Sequence, residues 1–172
     1  MDARRLKRWL AGAGLLLGVF ALVGSAVSCT PPETAPYIDK GAPDFTLDTL
    51  GGTEITLSEL RGTPVVLNFW YVNCPACRVE LVKLEELAEQ NGDITVIVVN
   101  TGDSRYRVEQ FFGDYELHFT VALGAGTQVS HQYNLWASPT TYFIDRKGII
   151  RYIKIGAFID ETELEEAVES IR

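Results

Sequence analysis

Cys74 and Cys77 stand three residues apart in the run Trp70-Tyr71-Val72-Asn73-Cys74-Pro75-Ala76-Cys77-Arg78-Val79-Glu80. A bridge across so small a loop removes little entropy from the unfolded chain, so it gains little as a structural staple. Opening and closing in exchange with other thiols is the chemistry that the spacing suits. For that, one sulfur must be held as a thiolate and the other must lie within reach of it.

The flanking residues supply both conditions. Thr63-Pro64-Val65-Val66-Leu67-Asn68-Phe69-Trp70 is rich in β-branched and aromatic residues and reads as a buried strand. Pro75 fits the first position of a helix, where its missing N–H costs nothing. From Val79 onward Leu81, Leu84, Leu87 and Ala88 share one helical face, with Glu85, Glu86 and Glu89 elsewhere. Cys74 is therefore expected at a helix N-terminus, where free N–H groups and the helix dipole favour thiolate. That should hold its pKa below the free value of ~8.5. Cys77, one turn in, should be the more buried, resolving thiol.

The first 28 residues read as a separate unit. Arg4, Arg5, Lys7 and Arg8 precede the uncharged stretch from Trp9 to Val27. As a helix of about 1.5 Å per residue, that stretch matches a bilayer core. The basic head places the N-terminus inside and the rest outside. Gly24-Ser25-Ala26-Val27-Ser28-Cys29 is similar to a bacterial lipobox, with Ala26 where leucine is preferred. Lipidation at Cys29, an uncleaved membrane helix and simple secretion all remain open. Residues 29–41 read as a stiff Pro-rich tether and residues 42–172 as one domain.

Subtracting the four basic residues and one acidic residue of 1–28 from 15 Lys+Arg and 23 Asp+Glu leaves 11 and 22, a net charge of −11. Such a surface argues against nucleic acid and anionic lipid as partners. With Cys29 assigned to the anchor, a single cysteine pair remains in an oxidising space, and its reduction needs an outside electron donor.

Downstream, Leu50-Gly51-Gly52 between two short apolar runs signals a hairpin, and Ile94–Asn100 reads as a second buried strand. Helices are expected over Ser104–Phe112 and Thr127–Leu135, and a strand or edge segment over Phe119–Leu123. A hairpin is expected around Arg146-Lys147-Gly148. A last helix should follow Asp160-Glu161-Thr162-Glu163, which has the form of a capping box. This order implies a mixed sheet with helices on both faces.

Four segments resemble the TlpA/ResA-type membrane-anchored thiol-disulfide oxidoreductases: Ala42-Pro43-Asp44-Phe45, Val66–Trp70 leading into Cys74 and Cys77, Ser138-Pro139-Thr140-Thr141, and Phe143-Ile144-Asp145-Arg146-Lys147-Gly148. The resemblance implies an α/β thioredoxin-like fold, with a central mixed β-sheet flanked by helices and an N-terminal β-hairpin extension. It implies that Pro139 is a cis proline facing the disulfide and that Ser138 offers backbone to an extended substrate. Trp70, Pro75, Ser138, Pro139 and Thr140 would then line the substrate site, and Trp136 the same groove. Glu80 matches an active-site glutamate that takes a proton from Cys77 or tunes Cys74. Asn68 stands where cytosolic thioredoxins carry aspartate. Arg78 reads as a surface residue without a role, and His118 and His131 as structural or solvated. Asn73 replaces the usual tryptophan, and Pro75-Ala76 differs from the thioredoxin dipeptide.

The activity so implied is reduction of protein disulfides at the outer face of the cytoplasmic membrane, for example in apocytochrome c. Electrons would come from a membrane carrier of the CcdA/DsbD type, with no cofactor or metal. Three alternatives are a disulfide donor, a peroxidase and a copper-delivery protein. A peroxidase of the kind that opens with Ala-Pro-Asp-Phe needs a proline and a threonine before its cysteine, and here Leu67 and Tyr71 occupy those places before Cys74. Copper carriers space their cysteines one residue wider, and His131 is the only late-loop histidine candidate.

Overall fold

The computed structural model describes residues 35–113 and 116–172. The basic head, the apolar stretch and Cys29 lie outside the described residues.

Two short strands, β1 (Thr46–Asp48) and β2 (Glu54–Thr56), pair antiparallel and form the expected hairpin. A 3-10 turn at Leu57–Leu60 links them to β3 (Val65–Trp70), whose six residues are all buried. Helix α1 (Pro75–Gln90) follows, then β4 (Thr95–Asn100), α2 (Arg105–Phe112) and β5 (Thr120–Leu123). A single turn, α3 (Val129–Gln132), precedes β6 (Thr140–Ile144) and β7 (Ile150–Ile155), and α4 (Glu161–Glu169) comes last.

The five-stranded sheet has the order β5-β4-β3-β6-β7. Strands β3, β4 and β5 run parallel, and β6 and β7 run antiparallel to their neighbours. Strand periodicity divides the core. Val66 and Trp70 pack with Leu81, Leu84, Val108, Phe112 and the α4 residues Leu164 and Val168. Leu67 and Phe69 pack on the other face with Phe45, Leu57, Val129 and Tyr133. Leu84 is fully buried in the first layer. Leu84→Ala is expected to cost about 2–5 kcal/mol, seen as a lower urea midpoint with an unchanged slope.

Several local expectations are corrected. Residues 35–41 are not an extended tether. Ala35 N–H donates to the Gly41 carbonyl, Asp39 N–H donates to the Ile150 carbonyl, and Gly41 bridges Ile149. The helix expected over Thr127–Leu135 shortens to the four residues of α3. The capping box is not closed. Asp160 caps Thr162 N–H, but Glu163 turns away to hold Lys154 Nζ with both carboxylate oxygens at 2.6 Å. Among the described residues no helix is long and apolar enough to cross a membrane.

Candidate active site

The two cysteines sit where β3 gives way to α1, and they are joined as a disulfide with a Cα–Cα distance of 5.2 Å. Cys74 is the N-cap residue of α1 in an extended conformation, and its Sγ accepts the Cys77 N–H at 3.1 Å. A sulfur in that position receives a helix-terminal donor directly, which stabilises negative charge on it. Cys77 has no exposed surface and Cys74 keeps 3 %. Pro75 and Ala76 beside them are exposed. The sequence logic that Pro75 opens the helix holds.

The loop before β6 comes to the same sulfurs. The Ser138–Pro139 peptide is cis, and the Ser138 carbonyl lies 3.7 Å from Cys74 Sγ. Pro139 is buried, and its carbonyl accepts the Gly156 N–H at 2.8 Å. Ser138 is half-buried. Thr140 follows as the first residue of β6. It is buried, and its hydroxyl closes the loop on the Ala137 carbonyl at 2.9 Å.

Trp70 lies in the core layer that also holds both cysteines. Its side chain has no exposed surface and packs against Phe111 and Phe112, with ring centroids 5.0 and 5.3 Å away. It is a core residue behind the site. Trp136, in contrast, is 79 % exposed just ahead of the cis peptide.

Glu80 is fully buried on α1. Asn68 lies on the α1-facing side of β3 and Thr141 directly opposite it on β6, so both reach the carboxylate. Oε1 accepts from Thr141 Oγ1 and from Asn68 Nδ2 at 3.3 Å, and Oε2 accepts the Phe158 N–H at 3.0 Å. Burial pushes the Glu80 pKa above the ordinary carboxylate value. The bonds from Thr141 and Phe158, the Lys154 charge and the bond from Asn68 only partly oppose it. A buried carboxyl group with a raised pKa, three residues beyond Cys77 on the same helix, is suited to proton exchange.

Three residues of the site carry little sequence signal. Asp103 accepts the Val72 N–H at 2.7 Å, and Asn100 Nδ2 donates to the same carboxylate oxygen at 3.1 Å. Arg78, read from sequence as an idle surface residue, donates through Nε and Nη2 to the Val72 carbonyl at 3.3 and 3.2 Å. The one available hint is the run Asn100-Thr101-Gly102-Asp103 after a buried strand, a composition that favours side-chain-closed turns. His118 pairs with Glu85 at 2.7 Å, and that bond raises its pKa. His131 is exposed. Among the described residues no group of three or more His, Cys, Asp or Glu side chains is placed to hold a metal ion.

A mixed sheet of this order, with a Cys-X-X-Cys disulfide at a helix start facing a cis proline, is a thioredoxin-like redox domain. Residues 38–153 match the AhpC/TSA family, and the chain belongs to it. It is 34% identical to the thioredoxin-like protein YneN of Bacillus subtilis over 170 residues, 95% of this chain and 98% of the relative. It is 31% identical to the thiol-disulfide oxidoreductase ResA of Geobacillus kaustophilus over 173 residues, 98% and 99% of the two chains. Among solved structures, a thiol:disulfide interchange protein DsbE of Chlorobium tepidum superposes with a TM-score of 0.72 at 27% identity, covering 79% of this chain and all of that one. The protein is a thiol-disulfide oxidoreductase with a Cys74–Cys77 pair.

Proposed function

We propose that the protein reduces disulfides of other proteins outside the cytoplasm. Cys74 is the attacking sulfur and Cys77 the resolving one. The observation that carries this reading is the Cys74 sulfur capping a 16-residue helix through the Cys77 N–H, with the Ser138 carbonyl alongside. In the reduced protein the Cys74 thiolate attacks one sulfur of a substrate disulfide, forming a mixed disulfide and releasing the first substrate thiolate. The Cys77 thiolate then attacks Cys74 Sγ. The Cys74–Cys77 bond forms, the second substrate thiolate leaves, and two electrons have passed to the substrate. Glu80 takes the Cys77 proton. Substrate backbone lies along Ser138, with Pro75 and Pro139 at its flanks.

The oxidised state so produced must be reset by a dithiol donor, and a membrane carrier of the CcdA/DsbD type fits an extracytoplasmic position. Residues 1–28 serve as signal or anchor, with Cys29 as the lipidation site, and residues 42–172 carry the chemistry. Apocytochrome c, whose haem-binding cysteines must be kept reduced, is the substrate we favour. The ResA and DsbE names of the relatives are in keeping with thiol exchange.

A Cys77→Ala chain expressed in its host should accumulate covalent complexes through Cys74 that dithiothreitol releases, with a c-type apocytochrome among them. An absence of any captured protein, together with a reduction potential near the oxidising extreme of about −120 mV rather than the thioredoxin value of about −270 mV, would replace reductase by disulfide donor.

A further inference from the structure

Two charged side chains from outside the Cys-X-X-Cys motif converge on Val72, two residues before the attacking sulfur. The Val72 N–H donates to Asp103 Oδ2 at 2.7 Å. Its carbonyl accepts both Nε and Nη2 of Arg78 at 3.3 and 3.2 Å. The N–H belongs to the peptide before Val72 and the carbonyl to the peptide after it. Two successive peptide planes are therefore pinned by charge-assisted bonds, the stronger kind.

Each side chain is itself held. Asp103 is buried, and Asn100 Nδ2 at 3.1 Å and Arg107 at 3.2 Å fix its carboxylate. Asn100 Oδ1 accepts the N–H groups of Gly102 and Asp103, so the loop after β4 closes on itself before it meets Val72. The Arg78 guanidinium lies over the Phe111 ring, 5.5 Å from its centroid. The turn that they grip is weak by itself. Between β3 and α1 its own main-chain bond is Cys74 N–H to the Tyr71 carbonyl at 3.3 Å.

We propose that Asp103 and Arg78 are positioning residues for Cys74, holding the turn before it so that its sulfur stays on the Cys77 N–H. The inference rests on the reading of Cys74 as the attacking sulfur. The geometry matters because the helix-end effect on a thiolate fades within the first turn. A turn released at Val72 lets the sulfur drift off its donor.

The two charges make the idea separable from simple field effects. By field alone, the Asp103 carboxylate disfavours a neighbouring thiolate, so its removal should lower the Cys74 titration midpoint. Positioning demands the opposite sign. Arg78→Lys keeps the charge but loses the planar fork. A field effect predicts no change there, and positioning predicts a rise.

The test uses the full chain with Cys29→Ser and Cys77→Ala, leaving Cys74 as the sole thiol of the three. Thiolate absorbance is followed against pH. Asp103→Ala and Arg78→Lys should each raise the midpoint by about one unit, roughly a tenfold loss of thiolate at fixed pH below it. Asp103→Asn keeps a carbonyl oxygen for Val72 N–H and Asn100 Nδ2, and should stay within about twofold of the parent. A midpoint at or below the parent in Asp103→Ala overturns the proposal. So does an unchanged midpoint in Arg78→Lys, or an Asp103→Asn shift as large as that of alanine. If Asp103→Ala fails to fold by circular dichroism, Arg78→Lys decides alone. The titration involves no protein substrate, so its failure is distinct from a failure of the reductase reading.

Discussion

Replacement of Cys74 by serine is expected to reduce turnover of a protein disulfide to the uncatalysed rate. A hydroxyl at the helix N-cap can still accept the Cys77 N–H, as serine commonly does. The fold and the start of α1 should therefore survive, with the far-ultraviolet circular dichroism of the parent. What is lost is the polarisable sulfur that exchanges partners. Cys77→Ala should differ from it in kind. It keeps the attacking sulfur and loses the means of release, so the first mixed disulfide forms and persists. Stopped-flow measurement with a dithiol-quenchable substrate separates the two: no burst for Cys74→Ser, and a single-turnover burst without further cycles for Cys77→Ala. Equal bursts in both would remove Cys74 from the attacking role.

The second large effect is expected at Glu80. Glu80→Leu keeps bulk and removes both acceptor oxygens, leaving Thr141 Oγ1, Asn68 Nδ2 and Phe158 N–H without their partner in a buried space. Asn68 and Thr141 retain each other at 2.8 Å, so the sum is less than three separate losses. The variant should be less stable by roughly 3 kcal/mol. Glu80→Gln keeps an acceptor, and Asn68 can turn its unpartnered Oδ1 toward the new amide. It should fold, and it isolates the charge.

The sign of the pH effect follows from burial. The Glu80 pKa is raised above its unfolded value, so the folded state binds the proton more tightly than the unfolded one. Stability from this group is greatest below the unfolded pKa. It declines as pH rises through the window up to the folded value and is flat above that. Glu80→Gln removes the decline, so its stability relative to wild type should grow across that window. Asp145 and Glu163, whose pKa values are lowered by their partners, act in the opposite direction but equally in both proteins. Urea unfolding at a series of pH values reads the difference. A constant offset between the two proteins would show that Glu80 has the same pKa in the folded and unfolded states. An unaltered pH–rate profile in Glu80→Gln would remove it as the proton acceptor for Cys77.

What the residues announce beforehand is local. Cys74 and Cys77 are legible because a strand run, a proline and a helical stripe lie within about twenty positions of each other, and each follows from neighbours in sequence. Trp70 shows the limit. Its place at the end of a strand is readable, but its burial depends on Phe111 and Phe112, brought against it by the crossover through β4. Thr140 likewise stands next to a recognisable proline, while its hydroxyl is committed to a carbonyl that only the folded loop brings near. Asp103 lies 31 residues from Val72, and their bond exists because β3 and β4 are parallel neighbours whose following loops meet. Arg78 exposes its side chain as expected, and its hydrogen bonds to a carbonyl six residues earlier leave no trace in any periodic pattern.

Thr49 bridges Ala122 and the Leu50 N–H reaches the Val121 carbonyl, so this stretch runs along the free side of β5. Asp39, Lys40 and Gly41 do the same for β7, with Ile150 donating back to the Lys40 carbonyl. One stretch of a dozen residues thus hems both rims of the sheet. Unpaired rims invite accretion of neighbouring molecules strand upon strand. A version trimmed to begin at the 3-10 turn would lose this selvedge together with the buried Phe45 and Leu47, and clumping would join a loosened core as its hazard.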